Sequence, residues 1–102
     1  MTVIANRDVL ESLSAHRDEL RTRFSVKRIG VFGSVARGEA DEGSDIDLLV
    51  EFEPDAQVGL FDFARLQSRL SQLLGHPVDL VTEDALHSAL RDRVLKETVH
   101  AS

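Results

Sequence analysis

The chain has 102 residues, 42% apolar and 29% charged, with only 2 Pro and 6 Gly, which is the composition of one folded domain over residues 1–102 and not of a disordered or fibrous chain. It has no Cys, which excludes a disulfide framework, a thiolate zinc site, an iron–sulfur cluster and a cysteine nucleophile. Asp and Glu number 18 against 12 Lys and Arg, a net charge of -6, so direct binding along an extended nucleic acid is not expected.

From about Arg7 to Phe24, Val9, Leu13, His16, Leu20 and Phe24 fall on one helical stripe, with Asn6 as candidate N-cap. His16 has no ligand partner one turn on, so it reads as a half-buried structural residue. Val26 to Phe32 reads as a short strand ended by Gly33-Ser34. Ser34 is the expected N-cap of a helical turn, Val35-Ala36-Arg37, closed by Gly38. Between Gly38 and Asp55 stand eight acids (Glu39, Asp41, Glu42, Asp45, Asp47, Glu51, Glu53, Asp55) and no Lys or Arg. Such a run is either a solvated loop or a cation site.

The segment Asp45 to Phe52 separates the two readings. Ile46, Leu48, Val50 and Phe52 alternate with Asp45, Asp47, Leu49 and Glu51, the period of a strand with one face on a core. Asp45 and Asp47 therefore share a face, with Cα atoms roughly 6–7 Å apart. After a turn at Pro54–Gln57, Gly59 to Leu74 reads as a helix with a stripe of Phe63, Leu66, Leu70, Leu73 and Leu74, closed by Gly75. A third strand, Val78 to Val81, puts Asp79 opposite Val78 and Leu80, and an acid in an apolar strand needs a reason. A last helix is expected from about Glu83 to Val99, with Leu86, Leu90 and Val94 spaced by four. His76, His87 and His100 read as loop or surface residues. The longest strongly apolar run, Leu48-Leu49-Val50, cannot span a membrane, and Met1 to Asp8 lacks an apolar signal region, so the expected location is cytoplasmic.

Several patterns fail. Gly33 to Gly38 has P-loop spacing, but Glu39-Ala40 stands where Lys-Ser/Thr is required. Asp45-Ile-Asp47 does not open an EF-hand, because Leu48 to Val50 fill its polar positions. What holds is a combination: a strand ending at Gly33-Ser34, Asp45-x-Asp47 on the next, and Asp79 on a later one. Three convergent carboxylates ionise together only beside cations, and hard oxygen donors suit Mg²⁺ or Mn²⁺. Two such ions can clamp an in-line phosphoryl or nucleotidyl displacement. Gly33 lets a phosphate approach the backbone, Ser34 can donate to it, and Arg37 can neutralise triphosphate charge.

Gly33-Ser-Val-Ala-Arg-Gly38 followed by Ser44-Asp-Ile-Asp-Leu-Leu-Val50 resembles the signature of the polymerase-β-type nucleotidyltransferase superfamily. With the leading helix, Val78-Asp-Leu-Val81 and the closing Leu-Arg-Asp-Arg-Val-Leu-Lys-Glu97, nearly the whole chain is similar to the minimal nucleotidyltransferase (MNT) antitoxins of HEPN/MNT toxin–antitoxin systems. The resemblance implies that Gly33 and Ser34 hold the β,γ-phosphates and that Asp45 and Asp47 ligate the metal ions. It also implies that Asp79 completes one metal site and helps to activate the acceptor hydroxyl. Arg37 matches the pattern as a nucleotide-binding residue. The expected fold is α+β, a small mixed sheet of three or four strands with helices mainly on one face. The implied function is Mg²⁺-dependent transfer of AMP from ATP to a hydroxyl, a tyrosine's, of a cognate HEPN RNase toxin, which neutralises it. The sequence contains no Tyr, so a tyrosine acceptor must come in trans. The alternative is a non-catalytic module that masks the toxin's active site with an acidic surface.

Overall fold

The computed structural model describes residues 5–41 and 43–101. Met1 to Ile4, Glu42 of the acidic stretch and Ser102 lie outside the described residues. The elements are α1 (Asn6–Ala15), α2 (Arg17–Phe24), β1 (Val26–Phe32), α3 (Gly33–Ala36), β2 (Ile46–Phe52), α4 (Leu60–Leu74), β3 (Val78–Thr82), a 3-10 turn (Glu83–Ala85), α5 (Ser88–Glu97) and β4 (Val99–His100). The four strands form one mixed sheet in the order β3-β2-β1-β4. β1 runs antiparallel to both β2 and β4, and β2 runs parallel to β3. The expected α+β fold is thus observed, with four strands.

The period-2 pattern of β2 does what it predicts. Ile46, Leu48 and Val50 are fully buried, and they join Ile29 and Val31 of β1 and Val78 and Leu80 of β3. Over this face lie Val9 and Leu13 of α1, Leu20 of α2, and Leu66 and Leu70 of α4. Phe52 and Phe63 meet edge to face at 6.4 Å, tying the end of β2 to α4. Glu19 of α2 receives two hydrogen bonds from the Arg69 guanidinium of α4, at 2.6 and 2.9 Å, which hold its carboxyl below the usual range.

Four expected boundaries move. The single helix 7–24 is broken at His16, whose φ of -108° and ψ of 17° leave the helical region. Its Nδ1 lies 2.9 Å from the Ser12 carbonyl, a local contact that competes with the helical ladder. Leu13 and Leu20, on either side of the break, are both buried, and His16 is half-buried, as their places on the stripe predict. Asn6 is the first helical residue and not the cap: Ala5 precedes it, and Asn6 Oδ1 is buried without a partner.

Ser34 is likewise inside α3, not its N-cap. Gly33 has φ +72°, so the chain turns one residue earlier, and the cap position falls to Phe32. The expected helix 83–99 is shortened to Ser88–Glu97. Thr82 and Leu86 are extended around the 3-10 turn, and Val99 pairs with Val31 as a strand. Of Leu86, Leu90 and Val94, only Val94 is buried. Gly30 admits β4, since a Cβ there would lie 2.6 Å from Thr98 Cγ2 and 2.9 Å from the Val99 carbonyl. Among the described residues no helix is long and apolar enough to cross a membrane.

Candidate active site

The two register pairings of β2 build the site. Across the antiparallel pair, Asp47 stands opposite Phe32, the residue before Gly33. Across the parallel pair, Asp47 stands opposite Asp79. Asp45 lies just before β2, two residues ahead of Asp47, close enough for its charge to act on Asp47. The sheet therefore brings the Gly33 turn, Asp47 and Asp79 to one end, with Asp45 next to it in the chain.

Gly33 is buried against Asp47. An added Cβ there would push the Asp47 carboxylate aside, and the φ of +72° favours glycine in its own right. Ser34 Oγ makes no hydrogen bond among the described residues. The turn is closed by backbone bonds from Arg37 N to Gly33 O, 3.1 Å, and from Glu39 N to Ser34 O, 2.8 Å.

The acids differ in setting. Asp47 is half-buried, whereas Asp45 and Asp79 are exposed. The cost expected for a buried Asp79 does not arise, because Asp79 alternates with the buried Val78 and Leu80 and so lies on the exposed face of β3. Burial raises the Asp47 pKa above the usual carboxylate range, and the charges of Asp79 and Asp45 push it further the same way. Arg37 opposes the rise and Glu97 adds to it. Among the described residues no side-chain hydrogen bond or ion pair involves Asp45, Asp47 or Asp79.

Nor do any three His, Asp or Glu among the described residues stand close enough together to cage a metal ion as they are. The donor chemistry nevertheless fits Mg²⁺ or Mn²⁺. These are hard carboxylate oxygens, Asp47 and Asp79 in register and Asp45 two residues ahead of Asp47 in the chain, with no hydrogen bond or ion pair to a protein cation among the described residues.

Arg37 does not face this unpaired charge with a free guanidinium. Its Nε donates to Glu39 at 3.3 Å and its Nη1 to Glu97 at 2.6 Å. Glu97 also accepts the Gly33 N–H at 2.9 Å. Sequence reasoning missed Glu97 as a site residue. It is a single acid at the end of a helix, 60 residues from Arg37 in the chain, and no local spacing marks it.

The nucleotidyltransferase domain family matches residues 13–100 of the chain. Protein adenylyltransferase MntA of Thermococcus cleftensis is 45% identical over 100 residues, covering 98% of this chain and 99% of that protein. A solved structure of a candidate minimal nucleotidyltransferase is 49% identical, with a TM-score of 0.70, over 88% of this chain and 93% of the other. The Shewanella oneidensis MNT antitoxin complex with a tri-AMPylated HEPN toxin shares the fold, with a TM-score of 0.62 at 19% identity, over 91% of this chain and 71% of the other. Matched over most of its length by the family, and over nearly all of it by an MntA relative, the chain belongs to the nucleotidyltransferase domain family, in its minimal, MntA-like branch.

Proposed function

We propose that residues 1–102 act as one nucleotidyltransferase domain that moves AMP from ATP onto a hydroxyl of a partner protein, a HEPN-type toxin, and so neutralises it. The observation that carries this reading is the register Asp47–Asp79, with Asp45 two residues ahead of Asp47 and Gly33 against Asp47. The name of the 45% identical relative, a protein adenylyltransferase, supports the same chemistry. The tri-AMPylated HEPN toxin held by a structural neighbour supports the kind of partner.

In this reading the Gly33 N–H, Ser34 Oγ and Arg37 hold the β- and γ-phosphates of ATP. Asp45, Asp47 and Asp79 would hold Mg²⁺ or Mn²⁺, which supplies positive charge to the reacting phosphate and to the leaving pyrophosphate. The acceptor oxygen attacks the α-phosphorus. Its bond to phosphorus forms as the bond from the α-phosphorus to the bridging oxygen breaks, and pyrophosphate leaves. Asp79, exposed on the edge strand, takes the acceptor's proton. A tyrosine acceptor, the kind the family resemblance implies, must be the partner's, since this sequence has no Tyr.

The test is intact mass of the partner after incubation with the protein, ATP and Mg²⁺. Increments of one AMP support the reading. Its absence, with both proteins folded and bound to one another, rejects it. Masking without catalysis keeps one observation in its favour, the net charge of -6 against a basic RNA-binding face. The Asp45→Asn/Asp47→Asn double variant separates the two. If it binds the partner and still protects cells fully, masking is the mechanism.

A further inference from the structure

Glu97 ends α5, yet its carboxylate lies on two donors of the Gly33 turn. Oε2 accepts the Gly33 N–H at 2.9 Å, and Oε1 accepts Arg37 Nη1 at 2.6 Å. The side chain is 20% exposed. Its position is fixed from behind. Thr98 N donates to the Val94 carbonyl to close α5, and the next two residues pair with Gly30 and Val31 of β1.

One carboxylate spread over a backbone N–H and a guanidinium is held as two phosphate oxygens are held. Burial pushes the Glu97 carboxyl up, but the Gly33 N–H and Arg37 outweigh it and keep it below the usual range. The donors therefore carry a full negative charge. That charge also stands beside Asp47, which it disfavours. A second anion cannot use the same N–H and the same Nη1 while Glu97 keeps them.

We propose that Glu97 is a resident anion of the nucleotide site, seated where the terminal phosphates of ATP bind and displaced by them, so that it sets the affinity of the site. This rests on the nucleotide reading of Gly33 and Arg37 given above. It makes Glu97 a residue that discriminates by phosphate number. ATP and ADP must evict it, whereas AMP, which has no phosphate beyond the α position, need not. A clamp that merely braced the Gly33 turn would act otherwise. Its loss would loosen the turn and weaken every nucleotide alike.

The experiment is calorimetric titration of ATP, ADP and AMP, each with Mg²⁺, into the full chain and its Glu97→Gln variant. The amide keeps the size of the side chain and one acceptor but loses the charge. ATP should bind about three- to tenfold tighter to the variant, and AMP should stay within about twofold. In an Arg37→Ala background the gain should largely vanish, because the shared guanidinium is gone. Unchanged or weaker ATP binding by a folded Glu97→Gln variant overturns the proposal, as does an equal gain for AMP. Should Glu97→Gln fail to fold, Glu97→Asp, which is too short to reach both donors, is judged by the same criteria. If the wild type binds ATP but the variants bind it no tighter, this proposal alone falls. If neither the wild type nor the variants bind ATP, the nucleotide reading of the site falls with it.

Discussion

The two halves of the site are opposites in charge balance. On one side, the Gly33 N–H and Arg37 are satisfied within the protein by Glu97 and Glu39. On the other, Asp45, Asp47 and Asp79 have no cation bonded to them among the described residues, and Asp47 is pushed up by burial and by its two acidic neighbours. The donor half is built to be stable as it stands. The acid half carries a cost that a divalent cation would relieve. The difference says where function has overridden stability: a fold selected for stability alone would not align Asp47 with Asp79.

Asp47→Asn should have the largest effect. On the acid half, activity and stability should move in opposite directions. Nucleotidyl transfer should fall by at least about a hundredfold, because a neutral amide is a poor ligand for a hard cation. The melting temperature without metal should rise at neutral pH by about 1–4 °C, because the amide removes a disfavoured charge. Rates and melting curves on one preparation check both. Wild-type activity would exclude the acid pair as the metal site, and a lower melting temperature would show that Asp47 is a stabilising residue.

Gly33→Ala tests the boundary between the halves. The new Cβ would meet Asp47 Oδ2, and the residue would sit at φ +72°. The strained backbone alone should cost about 1–3 kcal/mol, read by denaturant unfolding. Transfer should be lost as well, since the turn and Asp47 cannot both keep their places. Gly38→Ala is the control. It shares the positive φ, 74°, but a Cβ there meets nothing within 4 Å, so it should destabilise less.

The acid half was legible in the sequence and the donor half only in part. Asp45 and Asp47 are placed by the alternation through Phe52, and Asp79 by the short apolar strand around it. Both patterns are local, and backbone periodicity carries them directly into the structure. Gly33 was legible because a strand ending in Gly-Ser is a local signal too. Ser34 as a cap was not, since the positive φ of Gly33 moves the turn by one residue. Glu97 was illegible, because its contacts depend on β4 pairing with β1. The helical spacing of Leu86, Leu90 and Val94 conceals that strand by suggesting a helix through Val99. The break at His16 has no Gly or Pro to announce it.

The smallest predicted effect sharpens the comparison most, because the two halves should respond to pH with opposite signs. Asp47 has a folded pKa above its unfolded value, so the native state binds more protons than the unfolded chain between the two. Its unfavourable contribution is therefore absent at low pH and grows as pH rises through that window. Glu97 has a folded pKa below its unfolded value. Its favourable contribution is present above the unfolded value and lost as pH falls through the folded one. At pH 7, then, Asp47→Asn should be more stable than the wild type and Glu97→Gln less stable. Both gaps should narrow as pH falls through 5 towards 3, from above in one case and from below in the other. The Glu97→Gln gap should not exceed about 1 kcal/mol, because the Arg37 guanidinium it loses is half exposed to solvent. Urea midpoints of the three proteins at pH 7, 5 and 3.5 measure this directly. Gaps of the same sign at pH 7 would mean that the two halves are not electrostatically opposed.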